Sequence, residues 1–226
     1  MKKLLSLFVF SFGIIFSAAA QYDDAGLWTT VNVEKKLRNN FHVLLTQEFR
    51  LKENFSQINL FYTDIGFGYR PLNFLKVELA YRLVEKRLIT DFYSTRHRLM
   101  LDITLKKKLG YFDVAYRHRL QREVRNVNSS ENGRVPEWYS RNKLTVKYDL
   151  QKKYTPYIST ELRYQIDDPR NIESDQTWHR ARYASGIDYE LNKKNKFGLY
   201  YLIQREWNVS LPENLYIIGL EYTMSL

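Results

Sequence analysis

Ten arginines stand at alternating positions on stretches that otherwise switch between apolar and polar residues: Arg50, Arg82, Arg96, Arg98, Arg117, Arg119, Arg141, Arg163, Arg180 and Arg182. A planar guanidinium offers paired N–H donors that match the two oxygens of a carboxylate or a phosphate. Acids placed on the same faces are Glu48, Asp64, Glu78, Asp102, Asp113, Glu161, Asp188, Glu190, Glu206 and Glu221, with Glu48, Glu161 and Glu206 the natural partners of the arginines. Two chemistries follow. The charges form a salt-bridged filling, because a buried arginine needs a carboxylate, or the surplus arginine forms a belt that prefers small anions.

The elements that must carry these side chains are strands. About eleven segments alternate with period two: residues 27–35, 41–52, 58–70, 75–86, 96–106, 111–123, 140–150, 155–166, 180–191, 196–207 and 215–226. Most exceed the ~5–6 residues of a soluble strand and match the ~9–11 of a tilted membrane strand. The connections alternate as well. Residues 36–40, 71–74, 107–110, 151–154 and 192–195 are tight, whereas 53–57, 88–95, 124–139, 167–179 and 208–214 are mostly longer. Outer-membrane barrels pair short periplasmic turns with long extracellular loops, which assigns the second set to the exterior.

The two faces of each strand differ in kind. Phe112, Val114, Tyr116 and Leu120 oppose Asp113, Arg117, Arg119 and Gln121, and Leu99, Leu101, Ile103 and Leu105 oppose Arg96, Arg98, Asp102 and Thr104. A single Arg or Lys facing lipid at mid-membrane costs ~2–4 kcal/mol. A slip of one residue would turn several outward together. The register therefore puts apolar residues in lipid and the arginines in the lumen. Aromatic side chains, among them Tyr62, Tyr69, Tyr81, Tyr116, Tyr148, Tyr183 and Tyr222, are assigned to the girdle at the membrane interfaces.

Composition agrees with an exported membrane protein. Lys2 and Lys3, the apolar residues 4–16 and the Ala18-x-Ala20 pattern read as a signal peptide over residues 1–20, leaving a barrel over 21–226 that begins at Gln21. The apolar run is too short for a membrane helix, which needs ~20 residues. There is no cysteine, so no disulfide or thiolate chemistry arises. The formal charge is +10, but it alternates with apolar residues and the chain is exported, which argues against a nucleic-acid partner. A mean hydropathy of −0.49 does not exclude a barrel, whose strands give only alternate residues to lipid.

Of the four histidines His42, His97, His118 and His179, the register puts His97 and His118 on the lipid face near the exterior, with Ser94 and Ser140 as neighbours. This suggests an alternative, a lipid-modifying hydrolase on the outer wall. No nucleophile, base and orienting group can be assembled from spacing, so no catalytic residue is assigned. Metal ligation has no paired spacing behind it, and no cofactor is implied.

Trp28, the motifs Gln47-Glu48-Phe49-Arg50, Ile65-Gly66-Phe67-Gly68-Tyr69-Arg70 and Tyr116-Arg117-His118-Arg119-Leu120-Gln121, the run from Tyr154 to Leu162, and Arg180-Ala181-Arg182-Tyr183 together resemble an uncharacterised family of outer-membrane barrels. It is called domain of unknown function 2490 and is common in Bacteroidota. The resemblance spans the mature chain and implies a barrel in the outer membrane without an established activity.

The expectation is an all-β, transmembrane, antiparallel up-and-down β-barrel of about 10–12 strands, monomeric and non-enzymatic. Its partners would be outer-membrane lipid and lipopolysaccharide, the barrel-assembly machinery during insertion, and small anionic solutes in the lumen. The strand count does not close: single-chain bacterial barrels have an even number. The segment at 27–35 would run in the same direction as the last strand, and is either an extra or lumenal element or the sign of a missed strand.

Overall fold

Among the described residues, the alternation of apolar and polar residues is realised as eleven strands that close into one barrel. In this computed structural model residues 22–88, 92–126, 135–169, 175–209 and 212–226 are described. The leader assigned to residues 1–20 and the proposed terminus Gln21 lie outside them. The strands are β1 (Tyr22–Lys36), β2 (Phe41–Lys52), β3 (Gln57–Leu72), β4 (Leu75–Arg87), β5 (Tyr93–Leu109), β6 (Phe112–Arg125), β7 (Glu137–Tyr148), β8 (Tyr154–Asp167), β9 (Thr177–Glu190), β10 (Asn195–Glu206) and β11 (Glu213–Ser225).

The first strand resolves the odd count. β1 is a full member of the wall and pairs in parallel with β11, in register from Tyr22 opposite Glu213 to Glu34 opposite Ser225. Its other edge pairs antiparallel with β2. It is neither a lumenal element nor the relic of a missed partner. All other neighbours in the ring are antiparallel. One parallel seam is what an odd number of up-and-down strands needs to close, and closure leaves no edge exposed.

The barrel is inside out relative to a soluble protein. Ile65, Leu79, Leu101, Ile158, Leu199 and Ile218 point outward and are 40–61% exposed. Glu48, Asp64, Arg82, Asp102, Arg119 and Glu161 point inward and are under 10% exposed. Soluble monomers rarely expose a contiguous apolar band. The same band is the lipid contact of a transmembrane barrel, and that is the fold class of the chain.

Connections at one end are tight. Asn39 and Asn40 take left-handed φ values of 57° and 64°, and Gly110 takes 61°, the backbone a two-residue hairpin demands and Asn or Gly supplies. At the other end the strands run further than their apolar stretches. β7 begins at Glu137 rather than at Ser140, because above the lipid the ladder continues with polar residues that periodicity cannot tell from loop. One girdle assignment is corrected: Tyr62 is 5% exposed and faces the lumen, where its hydroxyl donates to Glu48 at 2.7 Å.

Candidate functional site

The ten arginines all project into the lumen, and they separate into two groups along its axis. Arg96, Arg98, Arg163 and Arg180, with Arg125, lie toward the long-loop end. Arg50, Arg82, Arg117, Arg119, Arg141 and Arg182 line a cavity of about 440 Å³.

The first group is a dense polar layer. Glu123, on β6, is 2% exposed and takes both Arg96, at 3.0 Å, and Arg98, at 2.5 Å. Arg125 reaches Glu137 at 2.5 Å, Tyr139 donates its hydroxyl to the same carboxylate, and Arg180 pairs with Glu206. Arg163 has no carboxylate within ion-pair distance among the described residues. It donates from Nε to Nε2 of His179 at 2.6 Å and lies 4.0 Å over the ring of Tyr139. A guanidinium N–H can only donate, so Nε2 is the acceptor and His179 carries its proton on Nδ1.

The second group surrounds the cavity. Two pairs are bidentate: Arg82 with Asp64, both bonds at 2.5 Å, and Arg119 with Asp102, at 2.6 and 2.7 Å. Two parallel bonds from a planar fork hold geometry as well as charge. Arg50 pairs with Glu48 and stacks 3.6 Å over Trp28, while Arg82 stacks 3.6 Å over Tyr62. Glu161 serves three guanidiniums at once: Arg141 at 2.5 Å, Arg117 at 2.8 Å and Arg182 at 3.4 Å. Lys76 reaches Glu78 at 2.7 Å, and His42 reaches the same carboxylate at 3.1 Å.

The charge is uneven around the wall. Among the described residues, nine cationic side chains and six carboxylates line the cavity. On β2 to β5 they balance, with Arg50, Lys76, Arg82 and Lys106 against Glu48, Asp64, Glu78 and Asp102. β11 adds Glu221. On β6 to β9, Arg117, Arg119, Arg141, Lys143 and Arg182 face Glu161 alone. The whole surplus belongs to that wall.

The sequence named Glu48, Glu161 and Glu206 as partners, and each holds at least one belt arginine. It did not assign Asp64 and Asp102 to the arginines, although both were placed inward, and these two carboxylates hold the bidentate pairs. Glu123 and Glu137 are not among the inward acids read from the sequence: Glu123 closes the segment 111–123, and Glu137 lies in the connection 124–139.

The residues of the outer-wall alternative are divided between the two faces of the wall. His97 and His118 do face outward, but they bind different partners. His97 meets the hydroxyl of Tyr81 at 2.7 Å, and His118 Nδ1 meets Asn142 Oδ1 at 3.0 Å. Ser94 is three residues from His97 and therefore on the opposite face; it is wholly buried in the lumen wall. Ser140 shares the outer face with His118, and Asn142 stands between them, its Oδ1 3.0 Å from His118 Nδ1 and its Nδ2 donating to Ser140 Oγ at 3.5 Å. Among the described residues no cluster of three or more His, Cys, Asp or Glu is placed to hold a metal ion.

The model of the family described as "Protein of unknown function (DUF2490)" matches residues 25–214. No curated protein matches the chain. Among solved structures the barrel is similar to that described as "NanC porin structure in rhombohedral crystal form", with a TM-score of 0.54 and 13% identity over 85% of this chain and 92% of that one. A "KdgM porin" aligns with a TM-score of 0.43 and 14% identity over 77% and 81% of the two chains. The first likeness is one of fold.

Proposed function

We propose, for a chain that belongs to the DUF2490 family, that it is an outer-membrane barrel whose lumen forms a narrow, anion-preferring path. One observation carries the reading: nine cationic side chains against six carboxylates around a single cavity. Rings of Arg and Lys favour anions because the fixed field lowers the energy of a negative ion in the constriction and raises that of a cation. The likeness in fold to a porin supports it by analogy alone. The dense layer at Glu123, Glu137 and Glu206 is the constriction. Its guanidiniums again outnumber its carboxylates, so both tiers favour the same sign of charge.

The remaining parts of the reading rest on the sequence pattern and on the general behaviour of outer-membrane barrels. The chain is exported with its leader removed at Ala20 and inserted by the barrel-assembly machinery. It sits with the long loops at the cell exterior among lipopolysaccharide, and its apolar band lies in lipid. No catalytic residue takes part, and the outer-wall histidines are interface side chains.

Reconstitution in a planar bilayer under a potassium chloride gradient tests this. The reversal potential is expected to have the sign of chloride preference. A barrel that passes no current, or one that passes potassium more readily than chloride, overturns the proposal.

A further inference from the structure

The cross-strand register sets like charges face to face on one wall. Arg117 on β6 lies opposite Lys143 on β7, Lys143 lies opposite Glu161 on β8, and Glu161 lies opposite Arg182 on β9. One step along the axis, Arg119 is opposite Arg141, and Arg141 is opposite Arg163. Like charges directly opposite on a sheet destabilise it, and here Glu161 is the only carboxylate among the cavity-lining residues of these strands.

The donors on this wall also outnumber the acceptors. Lys143 lines the cavity and has no ion pair or hydrogen bond among the described residues. The Nε–H groups of Arg117 and Arg141 are buried without a partner. The two buried Nε–H groups are a cost to the wall, and the Lys143 ammonium beside them lines the cavity without an acceptor.

We infer that this wall is a binding site for a phosphoryl group, the dianionic end of a phosphate monoester or inorganic phosphate itself. The inference rests on the anion-path reading and names the solute class for it. A carboxylate has two oxygens, and Glu161 already provides those. A phosphoryl group brings three terminal oxygens and close to two negative charges near neutral pH. It gives the Lys143 ammonium, which lines the cavity without an ion pair or hydrogen bond, an acceptor without displacing Glu161, and it cancels part of a local surplus that chloride, with one charge and no directional lone-pair match, leaves largely in place. The cavity of about 440 Å³ has room for a small phosphorylated solute.

Calorimetric titration of the purified full barrel in detergent with inorganic phosphate, at constant ionic strength in chloride, is the test. Saturable binding by the native protein is expected, with an affinity reduced about tenfold or more in Lys143→Gln, the cost of losing one charge-assisted hydrogen bond. Lys106→Gln, on the balanced wall, keeps the native affinity and controls for the loss of one positive charge anywhere in the lumen. No saturable phosphate binding by the native barrel overturns the inference, as does an equal loss in both variants. Chloride-selective current in a barrel that does not bind phosphate would leave the channel reading standing while this one fails. Phosphate binding in a barrel without current does the reverse.

Discussion

Arg119 on β6 and Arg141 on β7 stand directly opposite each other across the sheet and both point inward, yet each is tied to a different carboxylate on its far side. Arg119 takes Asp102 on β5 through two bonds, at 2.6 and 2.7 Å. Arg141 takes Glu161 on β8 at 2.5 Å. The repulsion between the two guanidiniums is thus offset sideways around the barrel, not between the facing residues. The stability of the wall and its surplus charge rest on the same few acids.

Asp102→Asn isolates that dependence. It removes the bidentate partner of Arg119 and the more distant partner of Arg117, at 3.9 Å, and leaves an uncompensated cation among three others. Breaking a buried pair from one side costs about 3–5 kcal/mol, and both Arg119 and Asp102 are under 10% exposed. Denaturant unfolding in phospholipid vesicles should show a loss of that order. A loss below about 1 kcal/mol, the range of an exposed pair, would mean that the lumen is wet enough to screen these charges.

Glu161→Gln acts on selectivity as well as on stability. The change keeps the shape of the side chain and removes the one negative charge shared by Arg117, Arg141 and Arg182. The reversal potential in a chloride gradient should move further toward the anion limit. The reverse change, Arg141→Gln, should move it back. An unaltered reversal potential in both variants would place the selectivity-determining charges elsewhere along the axis.

The orientation of the faces is tested by arginine placed on either side of the wall. Leu101 is 40% exposed on the outer face, so Leu101→Arg puts a guanidinium in hydrocarbon at a cost of about 2–4 kcal/mol. Ser159 lines the cavity, so Ser159→Arg leaves the lipid face unchanged and adds bulk and charge to the lumen. The first variant should fold less stably with its conductance kept. The second should reduce the current with much less effect on folding. An exchange of these two phenotypes would invert the assignment of inside and outside.

Much of this arrangement was legible in the sequence, for a physical reason. On β6 and β5 a misplaced register would drive Arg117, Arg119, Arg96 or Arg98 into lipid, so the alternation of residue types leaves one choice of face. Alternation does not say which strand lies beside which. β1 was therefore given its direction from the turn pattern but no neighbour, and its parallel pairing with β11 had no signal in residue types. Glu137 falls in the connection 124–139, where the apolar partner face fades and strand and loop both read as polar, whereas Glu123 ends the segment 111–123 on the face of Arg117 and Arg119, so alternation alone places it inward. Tyr62 stands two residues from the inward Asp64 on β3, so alternation itself puts it in the lumen, where it donates to Glu48; residue type alone suits an interface and a lumen equally.

The turn between β7 and β8 supplies a titration outside the membrane. The hydrogen bond from Lys108 holds the Asp149 carboxyl below the usual aspartate range, helped by the backbone N–H of Gln151. Both contacts are 2.8 Å long. A carboxylate with a lowered folded-state pKa contributes stability above the unfolded value, and that contribution disappears as the pH falls through the folded value. The pair is exposed, so the effect on global unfolding should be too small to read. The local titration should be readable. Carbon NMR of the Asp149 carboxyl is expected to give a midpoint below the ordinary aspartate value of about 3.9, and Lys108→Ala should raise that midpoint toward it. Equal midpoints in the two proteins would mean that the turn does not hold Lys108 against Asp149 in solution. The β5–β6 and β7–β8 turns would then be tied only by the strands beneath them, whose ladder continues to the backbone bond from Asp149 to Tyr111.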